Sequence, residues 1–186
     1  MAAVYSQNLT PVGQPQTLRL AGDRLALERG FGSDDVPLGA VETVRLTFEP
    51  RSIAARAFRT SLVVKGGRSV RFTSVSWKGL TRVEEQAEGY RAFLSALLPA
   101  VARANPGARF VAGKPAPVWY GAVLLAVVAA AGVLLFVGRA FLAGEIEAGL
   151  FGLAVAAGGV WQAGPFVVRN RPRVFSPDSV PADLLP

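Results

Sequence analysis

The sequence predicts an α+β protein in which a curved antiparallel β-sheet or partial barrel, closed by a C-terminal helix, precedes a two-helix transmembrane hairpin. Two observations predict this class. Residues 118–138 and 148–168 contain no charged side chain, and each segment is long enough to cross the roughly 30 Å hydrocarbon core of a bilayer as a helix. Residues 17–73 instead carry short runs in which apolar and polar side chains alternate, as in half-buried strands.

The N-terminal part is predicted to form five or six short strands linked by tight turns. Residues 17–28 form one β-hairpin, and the alternation returns over residues 44–49, 58–64 and 70–73. In order, the predicted segments are a flexible lead-in (1–16), a cytoplasmic domain (17–110), a linker (111–117), the first transmembrane helix (118–138), a short non-cytoplasmic turn (139–147), the second transmembrane helix (148–168) and a basic, proline-rich cytoplasmic tail (169–186).

One amphipathic helix is predicted after the strands. Thr81 and Glu84 have the spacing of a capping box, which starts a helix. The apolar face consists of Tyr90, Phe93, Leu94, Leu97 and Val101. Pro99 predicts a kink or a break, because proline lacks the backbone N–H that the helical ladder needs.

This order of elements resembles the pleckstrin-homology-like domain of bacterial membrane proteins. The resemblance is carried by the paired strands around Leu18–Leu27, by the stretch Pro37–Leu46 and by the helix through Tyr90–Leu94. It covers residues 17–104. It implies a curved sheet closed by a helix, and a domain of a kind often fused to membrane spans.

Charge predicts the topology of the spans. Residues 1–117 hold 16 basic and 9 acidic side chains, whereas the turn at 139–147 holds Arg139 against Glu145 and Glu147. By the positive-inside rule both termini are expected in the cytoplasm. The excess of arginine over lysine is typical of a GC-rich bacterial genome, so we expect the inner membrane of a bacterium. The predicted interface anchors are Trp119, Tyr120, Arg169, Arg171 and Arg173.

The section Arg45–Arg82 holds nine basic side chains against Glu49 alone. Basic groups beside an anionic leaflet gain roughly 1 kcal/mol each. The candidate contacts to anionic lipid are Arg56, Arg59, Lys65 and Arg68. A solvated outer sheet face is the alternative. Nucleic acid is not expected, because no stacking aromatic residues interleave with these arginines.

Small residues recur on one face of each apolar segment: Ala122, Ala126, Ala129, Gly149, Gly152, Ala156, Gly159 and Ala163. Small residues let helices approach closely in lipid, so this seam is predicted to pack the two spans together. Contact with another subunit or a second copy, or a purely compositional origin, are the alternatives. Neither segment contains an ionisable group, which argues against a channel or transporter and favours an anchor.

The tail offers two interpretations. Val174, Phe175, Val180, Leu184 and Leu185 alternate with prolines. A disordered end has no need of these apolar groups, so they indicate docking on the domain or on a partner. Otherwise the arginines at 169–173 snorkel to the interface and the end frays.

The inventory of reactive groups points away from catalysis. Cysteine and histidine are absent, which removes thiolate chemistry and the commonest general base and metal ligand. Asp34 and Asp35 stand in a Gly/Ser segment without a third acid nearby, which favours a turn over a metal site. We therefore expect no enzyme and no cofactor. An enzyme built on arginine, tyrosine, serine or carboxylates is the remaining alternative.

Together these features predict a membrane-anchored binding or scaffold module that presents a basic domain at the cytoplasmic face. Its ligand would be anionic lipid headgroups or a membrane protein. The alternative is an accessory subunit of a larger membrane complex, in which the helical hairpin itself is the interaction surface.

Overall fold

The computed structural model describes residues 3–30, 32–50, 56–80 and 82–186, without the side chains of Pro50 and Arg56. They form two compact units. The first, the sheet domain, comprises the described residues up to Gly113 together with Arg173–Pro186. The second, the helical hairpin, comprises Lys114–Pro172. The predicted α+β class is confirmed.

The alternating runs at residues 17–28, 44–49, 58–64 and 70–73 all correspond to strands. In chain order the elements are β1 (Ala3–Gln7), β2 (Gln16–Ala21), β3 (Arg24–Arg29), β4 (Gly32–Pro37), a 3-10 helix (Leu38–Ala40), β5 (Val41–Pro50), β6 (Arg56–Val64), β7 (Ser69–Thr73), β8 (Val75–Trp77), β9 (Val83–Glu85), α1 (Ala87–Ala104), β10 (Arg109–Ala112), α2 (Ala116–Leu142), α3 (Ile146–Arg169), β11 (Arg173–Val174) and a second 3-10 helix (Ala182–Leu184).

The first sheet contains β1, β2, β3 and β4 in that order, all antiparallel. Leu18, Leu20, Leu25 and Leu27 are buried on its inner face, because the side chains of a strand alternate between two faces. Gly22 closes the β2–β3 turn with φ +59, a conformation that glycine adopts without strain.

The second sheet has the order β11-β10-β5-β6-β7, and β8 pairs with β9 in a separate two-stranded ribbon. The described strands therefore form no closed barrel. The sheet is also not purely antiparallel, since β10 runs parallel to β5. A parallel pair needs a long crossover connection, and α1 lies in the connection that leads to β10.

The lead-in predicted to be flexible contains β1, so this prediction is wrong for residues 3–7. Tyr5 and Gln7 point inward and are buried. The Tyr5 hydroxyl donates to the Thr73 carbonyl at 2.7 Å, and Gln7 Oε1 accepts from the Thr73 backbone N–H at 2.8 Å. These bonds satisfy part of the edge of β7 and join the two sheets.

Helix α1 covers the core but begins later than the capping box predicts. Thr81 lies outside the described residues, and Glu84 is in β9 opposite Ser76. The helix starts at Ala87, where Glu88 stands in the first turn. It is not broken at Pro99, because the apolar face on both sides of this residue is buried. The buried helical side chains are Tyr90, Phe93, Leu94, Leu97, Leu98, Ala100 and Val101.

Two buried tyrosines make the stability of the sheet domain sensitive to high pH. Burial raises the pKa of Tyr5 and of Tyr90 well above the usual value of 10. Their contribution is complete below pH 10, where the unfolded phenols are neutral, and is lost as the pH rises beyond it. We expect the free energy of unfolding to fall by about 1.4 kcal/mol per tyrosine and pH unit above pH 10. Urea titrations of the wild type and of Tyr5→Phe at pH 9 and pH 11 check this, and an unchanged pH slope in the variant would contradict it.

The tail docks on the sheet domain. β11 pairs with β10, and the Phe175 ring packs edge-on against Phe110 with centroids 5.9 Å apart. Leu184 is 1 % exposed and belongs to the same core. Because α2 and α3 lie between β10 and β11, the helical hairpin is an insertion within one domain.

The helical hairpin has a tighter turn than predicted. Helix α2 extends to Leu142 and α3 begins at Ile146, so only Ala143–Glu145 separate them, with Gly144 at φ +80. Helix α3 continues through Pro165 to Arg169. Both helices are long and apolar enough to cross a membrane, and an 18-residue window within each has a mean hydropathy of 2.6 and 1.4, respectively.

Candidate functional site

The second sheet gives the candidate residues a common frame. Ala112, Leu46, Thr60 and Phe72 are aligned across β10, β5, β6 and β7. β10 ends at this row and β11 begins beside it. We call this side of the sheet the exit end, because the chain leaves the sheet domain here for α2 and returns here after α3.

Arg59 lies near the exit end but is already paired. Its Nη2 is 2.6 Å from Glu49 Oε2, and the two side chains are 29 % and 19 % exposed. Phosphate would have to displace a partly desolvated carboxylate, which makes Arg59 a poor lipid contact. Arg56 is on the same strand as Arg59 and pairs with Pro50 of β5. Its side chain lies outside the described residues.

Lys65 and Arg68 lie at the opposite end of the sheet. The Lys65 backbone N–H donates to the Ala40 carbonyl, next to the start of β5. Leu46 is five residues after Val41 in β5, a distance of about 17 Å along a strand. Arg68 is also 3.4 Å from Asp34. The predicted lipid contacts therefore do not form one cluster.

A different pair of arginines lines a groove of about 520 Å³ beside the β1–β2 loop. Arg29 Nε donates to Gln16 Oε1 at 3.1 Å, and Gln16 Nε2 donates to the Arg71 carbonyl at 3.0 Å. Gln16, which is buried in β2, thereby links the Arg29 side chain of β3 to the backbone of β7. The residues described around this basic groove are Leu9, Thr10, Gly13, Gln14, Gln16, Arg29, Ser69 and Arg71, with no carboxylate among them.

The sequence does not predict the basic groove, because its two arginines come from strands in different sheets. Arg71 belongs to the basic section of the sequence, and Arg29 ends β3 just before the β3–β4 turn. Nothing local distinguishes them from solvated strand residues. Only the pairing of β1, β2 and β3, with Gln16 against β7, brings them to one groove.

Arg45 has a structural role on the outer face of the second sheet. Its Nη1 donates to the Gly113 carbonyl at 2.9 Å, and the Gly113 N–H donates to the Leu46 carbonyl. Partial burial, and then the charge of Arg109, lower the pKa of Arg45, although a guanidinium remains protonated. Arg45 therefore holds the end of β10 against β5.

The predicted small-residue seam is packed at one end of the helical hairpin. A methyl group placed on Gly152 would lie 2.5 Å from Val137 Cγ2, and one on Gly149 would lie 2.6 Å from the Phe141 ring. Ala122, Ala126 and Ala156 are partly exposed, whereas Ala129, Gly159 and Ala163 are exposed. Close approach of the two helices is thus concentrated near the turn.

The predicted interface anchors separate into two groups. Trp119 Nε1 donates to the Val167 carbonyl at 2.8 Å, and this hydrogen bond joins the open ends of α2 and α3. The Trp119 ring also packs edge-on against the ring of its neighbour Tyr120. Arg169 ends α3, and Arg171 is exposed in the connection to β11. Arg173 instead lies in β11 and forms an ion pair with Asp183, so it fastens the tail.

The described residues include no group of three or more acidic side chains placed to hold a metal ion. Comparison with protein-family models, curated proteins and solved structures finds no match for the chain.

Proposed function

We propose that this protein is a non-enzymatic binding module, anchored by the helical hairpin in a bacterial inner membrane with its sheet domain in the cytoplasm. The observation that carries the proposal is the insertion of two long apolar helices between the paired strands β10 and β11. Only Gly113–Pro115 lie between β10 and α2, and only Asn170–Pro172 lie between α3 and β11.

This connectivity supports one side for both ends of the helical hairpin. β10 and β11 are neighbours in one sheet, so the two chain crossings start and finish at the same place. The basic flanks favour the cytoplasm for that side, since positive residues resist export. Those flanking residues are Arg109, Lys114, Arg169, Arg171 and Arg173, against Arg139 alone near the far turn.

A pleckstrin-homology-like identity of the sheet domain belongs to the same proposal. It is supported by the run of strands β1–β7 followed by one helix that covers the core. The strands β10 and β11 and the docked tail lie outside the pattern on which the resemblance rests. The domain would serve to present a ligand-binding surface beside the membrane.

The ligand proposed for the basic groove is an anionic headgroup. Two guanidinium groups at a concave site without a lining carboxylate attract phosphate, and arginine binds phosphate through paired N–H donors. A headgroup of the bilayer that holds the helical hairpin is at high local concentration. A membrane protein with an acidic surface segment is the alternative ligand.

We expect Arg29→Gln/Arg71→Gln to weaken binding to anionic vesicles by roughly thirty-fold, because each basic residue near such a surface contributes about 1 kcal/mol. The protein to use is the joined domain, in which an Asn-Gly turn links residues 1–112 to 173–186. This turn suits the pairing of Ala112 with Arg173. Vesicle sedimentation at low salt gives the affinity.

The matched control is Arg19→Gln/Arg24→Gln, which removes the same charge from arginines that pair with Glu28 and Asp35 on the first sheet. Its effect should be several-fold smaller. Equal losses in both double variants would mean that net charge alone drives binding. Equal affinity of the wild-type joined domain for neutral and anionic vesicles would remove the lipid ligand.

The accessory-subunit alternative stays a prediction with its own test. Purification of the full chain in a mild detergent would yield a stoichiometric membrane-protein partner. A chain that purifies alone would argue against it.

A further inference from the structure

The β8–β9 ribbon ends in an exposed apolar residue with a basic residue on each side. Leu80 is 74 % exposed, and Lys78 and Arg82 flank it in the connection between the two strands. We call Lys78, Gly79, Leu80 and Arg82 the β8–β9 tip; Thr81 lies outside the described residues. Single exposed leucines are common on protein surfaces, so Leu80 alone decides nothing.

The ribbon is held firmly at its base. The Asn8 backbone N–H donates to Ser76 Oγ, and Asn8 Nδ2 donates to the Trp77 carbonyl, both at 2.9 Å. Nearer the tip, the Lys78 N–H donates to the Arg82 carbonyl at 2.9 Å, and Lys78 Nζ is 3.1 Å from Glu84. Leu80 is therefore presented outward on a fixed two-stranded ribbon.

The ribbon begins at the exit end of the second sheet. β7 runs in the same direction as β5 and β10, so it finishes near the row that contains Ala112. The Ser74 N–H continues the ladder by donating to the Phe58 carbonyl, and β8 starts at the next residue. The β8–β9 ribbon thus starts from the end of β7 that lies at the exit end of the sheet, where the chain also leaves for α2.

We infer that the β8–β9 tip is a second contact with the bilayer, in which Leu80 enters the headgroup region and Lys78 and Arg82 meet anionic lipid phosphates. The inference rests on the proposed anchorage by the helical hairpin. An apolar side chain gains by leaving water, and flanking cations suit the negative surface of a cytoplasmic leaflet. Together with the helical hairpin, this contact would fix how the sheet domain lies on the membrane.

The absence of cysteine allows single-site labelling of the full chain. The Leu80→Cys variant, labelled with a polarity-sensitive fluorophore, is reconstituted in nanodiscs of phosphatidylcholine with or without phosphatidylglycerol. We expect a blue-shifted emission, and quenching by nitroxide-bearing lipid, in the anionic nanodiscs. Lys78→Gln/Arg82→Gln in the same background should remove most of the difference between the two lipid compositions.

Two control positions separate the possible failures. A label at Glu42→Cys, which is exposed next to the start of β5 at the opposite end of the second sheet, should remain aqueous in both compositions. A label at Leu134→Cys, within α2, should be quenched in both. An aqueous label at position 80 together with a quenched label at position 134 overturns the contact, leaves the anchorage intact and assigns the tip to a protein partner or to solvent. An aqueous label at position 134 overturns the anchorage and the contact with it.

Discussion

Leu184→Ala is expected to lower the free energy of unfolding of the joined domain by about 3 kcal/mol. The side chain is almost fully buried in the core of the sheet domain, and removing a buried leucine leaves a cavity that the surroundings fill only partly. Phe175→Ala should cost a similar amount, because its ring packs on Phe110. Urea denaturation of the joined domain measures both effects.

Val174→Ala in the same tail is the matched control for these substitutions. Val174 is 78 % exposed although it lies in β11, so its loss should change stability by less than about 0.5 kcal/mol. A tail that merely frays would make all three substitutions equally silent. That result would contradict the docking of residues 173–186.

Gly152→Leu is expected to disrupt the helical hairpin. The added side chain would enter the space of Val137, where even a methyl group comes within 2.5 Å. Overpacking of a close contact costs about 1–3 kcal/mol, and backbone separation removes further helix–helix contacts. The measurement is the yield of disulfide cross-linking, in detergent, between one cysteine introduced into α2 and one into α3 near the turn. Separation of the helices lowers this yield.

Gly159→Leu provides the comparison, since no atom lies within 4 Å of a methyl group placed there. It adds the same volume and apolar area to the same helix. We expect normal cross-linking in this variant. If both variants lose the cross-link to the same degree, the effect comes from helix propensity or insertion and not from the contact with Val137.

Local patterns in the sequence predict the positions of both apolar helices and of five strands, β2, β3, β5, β6 and β7. Alternating leucines place β2 and β3, and the 3.6-residue period places α1. These signals suffice to predict the type of element, because the buried and exposed faces of a strand or helix follow from the periodicity of apolar residues within one short segment. The capping-box spacing at Thr81 and Glu84 misleads, since Glu84 pairs in a ribbon with Ser76.

Long-range contacts account for what the sequence did not reveal. β10 reaches β5 only after the chain has passed through α1, and β11 reaches β10 only after the helical hairpin. The sequence leaves two interpretations of the tail open, because it does not show that Phe110 lies next to Phe175 in the folded domain. The sheet domain therefore includes residues that follow both apolar helices in the sequence.

The candidate site illustrates the same difference. The sequence shows the positive net charge of the section Arg45–Arg82, but the pairing of Arg59 with Glu49 depends on the β5–β6 register. The separation of Lys65 from the exit end follows from strand direction. Conversely, Arg29 and Arg71 come together only through Gln16, a buried polar residue between two sheets.

The central claim is that the helical hairpin crosses the membrane and returns, with both ends at the cytoplasmic face beside β10 and β11. Alkaline phosphatase fused within the turn at Gly144, and separately after Pro186, tests it most directly in a bacterial host. We predict an active enzyme at Gly144, because phosphatase folds only outside the cytoplasm, and an inactive one after Pro186. The reverse pattern, or equal activity at both positions, would contradict the claim.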